Sequence, residues 1–185
     1  MDKTARTEFH RLFLIESLPE PLTPMSSHIQ IFDNYIENTR IRLRNIRVPE
    51  TKEWRHVLQQ HFSLGDADKG WKLAEMYLNE TEYQAFERFE GREIRKNRYF
   101  HEFDGHSFDF DIYLGALWGL CTTKARFQNA AEMEKFERPP FAIYEVTGDP
   151  FFAGANLVGK TFADVQTEVT SIGALPQVLD ERPDE

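Results

Sequence analysis

The segment IENTRIRLRNIR, residues 36–47, limits the fold more than any other, because Arg40, Arg42 and Arg44 recur at every second place with Ile41, Leu43 and Asn45 between them. A period of two is that of a β-strand, whose successive side chains leave to opposite faces. The same parity recurs along the chain. Glu8 and His10 share one side of TEFHRLFLIE, Lys96 and Arg98 one side of EIRKNRYF, Asp109 and Asp111 one side of SFDFDIY, and Lys124 and Arg126 one side of TTKARF. Glu75 and Glu145 add single acids with the same expected orientation. Any one stripe reads first as a solvated sheet face. The repetition over five strands, with Phe108, Phe110 and Ile112 opposite a charged side, argues instead for a barrel with a polar lumen. Closure also removes the exposed edges that so many antiparallel strands would otherwise leave.

The strands fall between readable breaks. Leu18-Pro19-Glu20-Pro21 ends the first, residues 28–47 form a hairpin, and two further strands lie near 53–62 and 71–78. Asn79 followed three residues on by Glu82 opens a helix that runs to about Phe89, and Asp104-Gly105 turns the next hairpin, whose second strand is expected to run through SFDFDIYLGAL. A strand then covers GLCTTKARF, with Leu120 and Trp118 as strand core. A helix at 130–136, a strand in FAIYEVT and a last helix opened by Thr161-x-x-Asp164 complete the order. Residues 1–173 read as one domain and 174–185 as a mobile tail.

The chain carries 22 Lys+Arg against 31 Asp+Glu, a formal charge of −9, so its overall field repels nucleic acid and anionic membranes and any anion site must be local. The single Cys121 excludes an internal disulfide and a cysteine zinc site, and reads as an inert buried thiol. With no apolar leader and no 18-residue apolar run, the expected location is cytoplasmic, without membrane association. His28, His56, His61, His101 and His106 show no HxxH or HExxH spacing, and none is assigned to a metal. His10 reads as a structural histidine or, alternatively, as a general base.

In order along the chain, six segments resemble motifs of the CYTH family, the triphosphate tunnel metalloenzymes, which include class IV adenylate cyclases, thiamine triphosphatases and inorganic tripolyphosphatases. EFHRLFLIESLP resembles the family's Glu-x-Glu-x-Lys opening strand and NYIENTRIRLR its Arg-x-Arg hairpin. MYLNETEY is similar to the strand end and helix that follow, IRKNRY to the Lys-x-Arg-Tyr strand, DIYLGAL to Asp-x-Phe-x-Gly, and YEVTGDPFFAGANL to the late Glu-Val-Thr stretch. The resemblance implies an α+β fold, a closed or nearly closed eight-stranded antiparallel barrel or tunnel with flanking helices. It implies phosphate ligands at Arg40, Arg42, Lys96 and Arg98, with Arg44 as a further one; where the family has Mg²⁺ or Mn²⁺ glutamates, this chain departs.

The second motif glutamate is His10, the motif lysine is Leu12, the lysine closing the next strand corresponds to Gln60, and the late Glu-x-Glu reads Lys124-Ala125-Arg126. Magnesium takes hard oxygen ligands, and a cation about 4 Å away repels it by several kcal/mol even at an effective dielectric near 20. The expectation is a protein that holds a small phosphate-rich ligand, a nucleoside triphosphate or polyphosphate, with no cofactor and little turnover, Lys124 and Arg126 joining the phosphate ligands. The alternative is a divergent triphosphate phosphohydrolase or cyclase-like enzyme, with Mg²⁺ or Mn²⁺ at a set rebuilt from Glu8, Glu75, Asp111 and Glu145 and with Glu8 or His10 catalytic. Family members often form dimers, which makes a homodimer one option for the assembly.

Overall fold

The computed structural model describes residues 3–65, 70–89 and 91–173. The expected tail at 174–185 and the middle of the turn after Gly65 lie outside the described residues. Among the described residues nine strands and four α-helices follow one another: β1 Lys3–Ile15, β2 His28–Ile36, β3 Ile41–Arg47, β4 Trp54–Ser63, β5 Trp71–Leu78, α1 Glu80–Phe86, β6 Gly91–Phe103, β7 His106–Tyr113, β8 Cys121–Phe127, α2 Ala130–Lys135, β9 Ala142–Glu145, α3 Gly154–Leu157 and α4 Phe162–Ser171. Eight strands close a ring in the order β1-β5-β4-β3-β2-β6-β7-β8 and back to β1, every neighbour antiparallel. Both the eight-stranded barrel and its flanking helices are therefore as expected.

Closure depends on β1. Its first half, Lys3–Glu8, pairs with β5, and its second half, Phe9–Leu14, pairs with β8. The short β9 joins at Phe13–Ile15, outside the ring. The alternation in the sequence starts this strand only at Glu8; the residues before it carry little apolar alternation, and their strand character comes from the partner β5.

Local chemistry sets several boundaries. Asn79 caps α1 and Thr161 caps α4, each with a reciprocal capping box, through Glu82 and Asp164. The β6–β7 hairpin turns through Asp104 and Gly105, both at positive φ (49° and 74°) as a tight primed turn requires. Two expectations need correction. Strand β7 stops at Tyr113, because Gly115 takes φ 65° and opens a 3₁₀ turn over Gly115–Leu117. Trp118 consequently lies outside the strands and is 48% exposed, although Leu120 is buried as expected. Helix α1 ends at Phe86, short of Phe89.

Two apolar clusters flank the lumen. Outside the ring, Phe13, Phe108, Phe110, Ala125 and Phe127 bury their side of β1, β7 and β8 beneath α2 and β9 through Met133 and Ala142. This is the cover that the Phe108–Phe110–Ile112 pattern demanded. The second cluster closes one end of the barrel. Leu14 at the end of β1, Ile94 at the start of β6 and Tyr113 at the end of β7 pack on Phe152, Leu157, Phe162, Val165 and Val169 of the C-terminal helices. Antiparallel strands bring those three positions to the same rim, so the lumen is a cup with an apolar floor. The contact is close: a Cβ on Gly154 of α3 would stand 1.9 Å from the Tyr35 hydroxyl on that rim.

Candidate functional site

Residues opposite each other across antiparallel strands share a face, so the pairing register assigns the lumen. His10 faces Arg126, Leu12 faces Lys124, Lys124 faces Asp109, Asp111 faces Arg98, Tyr35 faces Arg42, and Arg42 faces Gln59. The structure thus brings together Glu8, His10, Arg42, Arg44, Glu75, Lys96, Arg98, Asp109, Asp111, Lys124 and Arg126 around one interior.

Two expected members are elsewhere. Arg40 lies in the turn before β3, exposed, with its guanidinium over the Phe62 ring at 4.7 Å. Glu145 faces Phe13, whose side chain belongs to the outer cluster, and is held there by both Arg11 and the Thr147 hydroxyl, the latter at 2.7 Å. It is a salt-bridge partner on the outside and lines no metal position. Because β9 sits outside the ring, the parity of its residues carries no information about the lumen. Gln60 also faces out, into an apolar groove of about 320 Å³ with Ala5, Ile41, Leu58, Ala74 and Met76. Its neighbour Gln59 is the lumen residue, and sequence alignment by motif was one place off.

The interior charges sort into networks. Asp33, 1% exposed, accepts a fork from Arg44, Nε and Nη2 each at 2.6 Å, and lies 3.6 Å from Nη1 of Arg42. Arg42 also donates to Gln59 at 2.7 Å and to the Tyr35 hydroxyl at 3.1 Å. Burial alone would raise the Asp33 carboxyl, but the two guanidinium groups hold it well below the usual carboxylate range. Asp111 accepts from Lys96 at 2.6 Å and from Nε and Nη2 of Arg98 at 2.7 Å each, and is likewise held far below its ordinary value against its own burial. Asp109 bonds Arg98 at 3.0 Å and Arg126. Nearer the open end, half-exposed Arg6 bridges Glu75 at 2.9 Å and Glu8 at 3.2 Å, and Gln59 donates to Glu75.

One corner is different. Lys124 has no described carboxylate within ion-pair distance, and Glu8 and Asp109 attract it from further away. Burial, and then the charge of Arg98, push its ammonium down to about 7. Beside it, His10 is 6% exposed and stacks on Trp71 with centroids 3.9 Å apart, while His61 lies 6.2 Å beyond His10. Nδ1 of His10 and Nε2 of His61 are buried with no hydrogen-bond partner; the nearest carboxylate to the latter, Glu8, is 3.8 Å away. Burial and the neighbouring Lys124 push His61 down to about 3 and His10 well below its ordinary value, so both rings are neutral.

The donor set does not suit a divalent ion. No cluster of three His, Cys, Asp or Glu among the described residues has metal-holding geometry. Glu8 and Glu75 share Arg6, Asp109 and Asp111 share Arg98, and Lys124 and Arg126 stand where further oxygens would be needed.

No family model matches the chain, and no curated protein matches it significantly. Solved structures do. The crystal structure of the inorganic triphosphatase NE1496 is 23% identical, with a TM-score of 0.57 over 83% of this chain and 95% of that one. A second structure of NE1496, described as a hypothetical protein, is also 23% identical, with a TM-score of 0.58 over 84% and 99%. The chain carries the CYTH tunnel fold. Within this CYTH tunnel, sequence reasoning missed Asp33, Gln59, His61 and Arg6. Asp33 had a usable signal, since it sits alone at the parity of Ile31 and Tyr35 in HIQIFDNYI, where an acid needs a buried base. His61 had none, because a solvated face accounts equally for a histidine near a strand end.

Proposed function

We propose that the CYTH cup of this protein binds a phosphate-bearing anion directly through side chains, without a divalent cation and with little or no turnover. The observation that carries this reading is the balance inside the lumen. Arg42, Arg44, Lys96, Arg98, Lys124 and Arg126 outnumber Asp33, Glu75, Asp109, Asp111 and Glu8, with Arg6 at the mouth adding to the excess, in a chain whose formal charge is −9. Local positive charge maintained against that global balance favours an anionic occupant. Arginine suits the task because its fork grips phosphate oxygens and stays charged when desolvated. Asp33 and Asp111 then act as struts that hold guanidinium and ammonium groups in fixed positions. Activation of water by a bound ion would need carboxylates with spare lone pairs facing one point, and each described acid of the lumen is instead ion-paired with a base.

The test is thermal unfolding with ATP, tripolyphosphate and orthophosphate in EDTA and again with Mg²⁺, together with a phosphate-release assay. The expected result is anion-dependent stabilisation in EDTA, nothing further from Mg²⁺, and no release. Metal-dependent release would favour the enzyme, and no shift with any anion would leave the cup as a self-paired scaffold.

A further inference from the structure

The bases in the cup are not equally available. Arg42 and Arg44 are engaged by Asp33, Lys96 and Arg98 by Asp111, Arg98 and Arg126 by Asp109, and Arg6 by Glu75 and Glu8. A polyphosphate chain contacting all of them would have to use the N–H groups that the carboxylates leave over or loosen buried charged hydrogen bonds, and stripping one partner from such a pair is strongly unfavourable. Lys124 alone among the described lumen bases has no carboxylate within ion-pair distance, although Glu8 and Asp109, the latter opposite it in the register, attract it from further away.

The same corner contains two buried polar atoms with nothing bonded to them, His10 Nδ1 and His61 Nε2. Buried polar atoms are almost always satisfied, and two unsatisfied ones together call for an occupant. A neutral imidazole presents one N–H, which suits a phosphate oxygen, and an ammonium presents three. The Trp71 ring under His10 fixes that imidazole by stacking, so the donor is held in place before anything binds. A water molecule would satisfy the imidazoles but leave the ammonium without a directly bonded anion, since Glu8 and Asp109 act on it only from beyond ion-pair distance. A metal cation would meet Lys124 and Arg126.

We propose that Lys124, His10 and His61 form a seat for one tetrahedral oxyanion, so that the ligand of the cup is recognised through a single phosphate group, free or as a phosphomonoester, and not along a triphosphate chain. This deepens the anion-binding reading above and rests on it. Arg126, beside His10 in the register, guards the mouth side of the seat, and the floor of Leu12 and Leu14 leaves no charged path beyond it.

The experiment is calorimetric titration in EDTA at constant ionic strength with orthophosphate, glycerol 3-phosphate, pyrophosphate and tripolyphosphate, on the wild type, Lys124→Met and His61→Gln. Expected are one site, tripolyphosphate no more than about threefold tighter than a single phosphate, and a loss of about tenfold or more in Lys124→Met, the scale of one charge-assisted hydrogen bond. The monoester binding as well as orthophosphate identifies an organic phosphate, and orthophosphate binding alone identifies the free ion; either supports the seat. Imidazole nitrogen resonances of His10 and His61 must also move on titration, which a merely structural pair would not do. Tripolyphosphate binding more than about tenfold tighter than orthophosphate and unaffected by Lys124→Met would overturn the single-phosphate seat while leaving the anion-binding cup intact. Absence of binding by all four anions would overturn both. Folding of Lys124→Met is not at risk, since burial and Arg98 disfavour the charge that the change removes more than Glu8 and Asp109 favour it.

Discussion

Asp33→Asn asks the most of the lumen. The carboxylate is buried with a bidentate guanidinium at 2.6 Å on both arms and a second guanidinium at 3.6 Å. At an effective dielectric near 20 the more distant pair alone is worth about 4–5 kcal/mol of gross attraction. The asparagine oxygen retains one hydrogen bond, but Arg42 and Arg44 lose their counter-charge, and removing one partner of a buried pair costs about 3–5 kcal/mol net. With a urea slope of about 2 kcal/mol/M, the unfolding midpoint should fall by about 1.5–2.5 M at pH 7.5. Phosphate at tens of millimolar should recover more of the loss than it adds to the wild type, because the freed forks can then grip an anion. Acid provides an independent check. Asp33 is held below its ordinary value, so its contribution is complete above the unfolded carboxyl pKa near about 3.9 and fades as pH falls through that region; the variant should lack that part of the wild-type acid transition. A midpoint within about 0.5 M of the wild type would refute the buried network, since that corresponds to the worth of an exposed pair. Destabilisation with no preferential phosphate recovery would refute the idea that anions reach these guanidinium groups.

Lys124→Met should raise stability at neutral pH by about 1–3 kcal/mol, the range expected when a partly buried charge that burial and Arg98 disfavour more than Glu8 and Asp109 favour is replaced by an apolar side chain. The sign in pH follows from a folded value near 7, below that of the unfolded lysine: the penalty is complete below pH 7 and disappears as pH rises towards the ordinary lysine range, so the wild type gains stability over that interval and the variant gains less. Parallel pH slopes for the two proteins in denaturant unfolding would contradict it. Phe110→Ala, which empties a fully buried position on the outer face, should cost about 3–5 kcal/mol without altering phosphate affinity per folded molecule, since the ring lies on the side away from the lumen. A selective loss of anion binding in that variant would mean that the two faces have been misassigned.

Much of this site could be read from parity. Arg42, Arg44, Lys96, Arg98, Asp109, Asp111, Lys124 and Arg126 all face inward because each lies on a long strand of the ring, where a two-residue period leaves no freedom once the opposite side is apolar. The same rule failed where its premise failed. Arg40 is in a turn and Glu145 is on a strand outside the ring, so counting by twos from the charged stripe had no meaning for either. Gln59 and Gln60 show the related weakness of motif matching, in which one place exchanges lumen for exterior. The apolar floor was also encoded, although not recognised, in the change of the inward parity from charged to apolar at one end of several strands: Leu12 and Leu14 after His10, Ile94 before Lys96, Tyr113 after Asp111. Which bases are already neutralised was not legible, because that depends on distances across the lumen between strands far apart in sequence.

The divided pairing of β1 makes the N-terminal strand the closing seam of the barrel. Its partners lie from 63 residues (Glu8 with Trp71) to 118 residues (Phe9 with Phe127) further along the chain, so both of its halves form high-contact-order pairings that must await the rest of the sheet. Until β1 zips in, β5 and β8 present open edges of the kind that recruit a neighbouring chain. Shortening the chain before Thr7 would remove most of the β5 half of that seam, and the damage should appear as aggregation during refolding before it appears as any loss of ligand affinity.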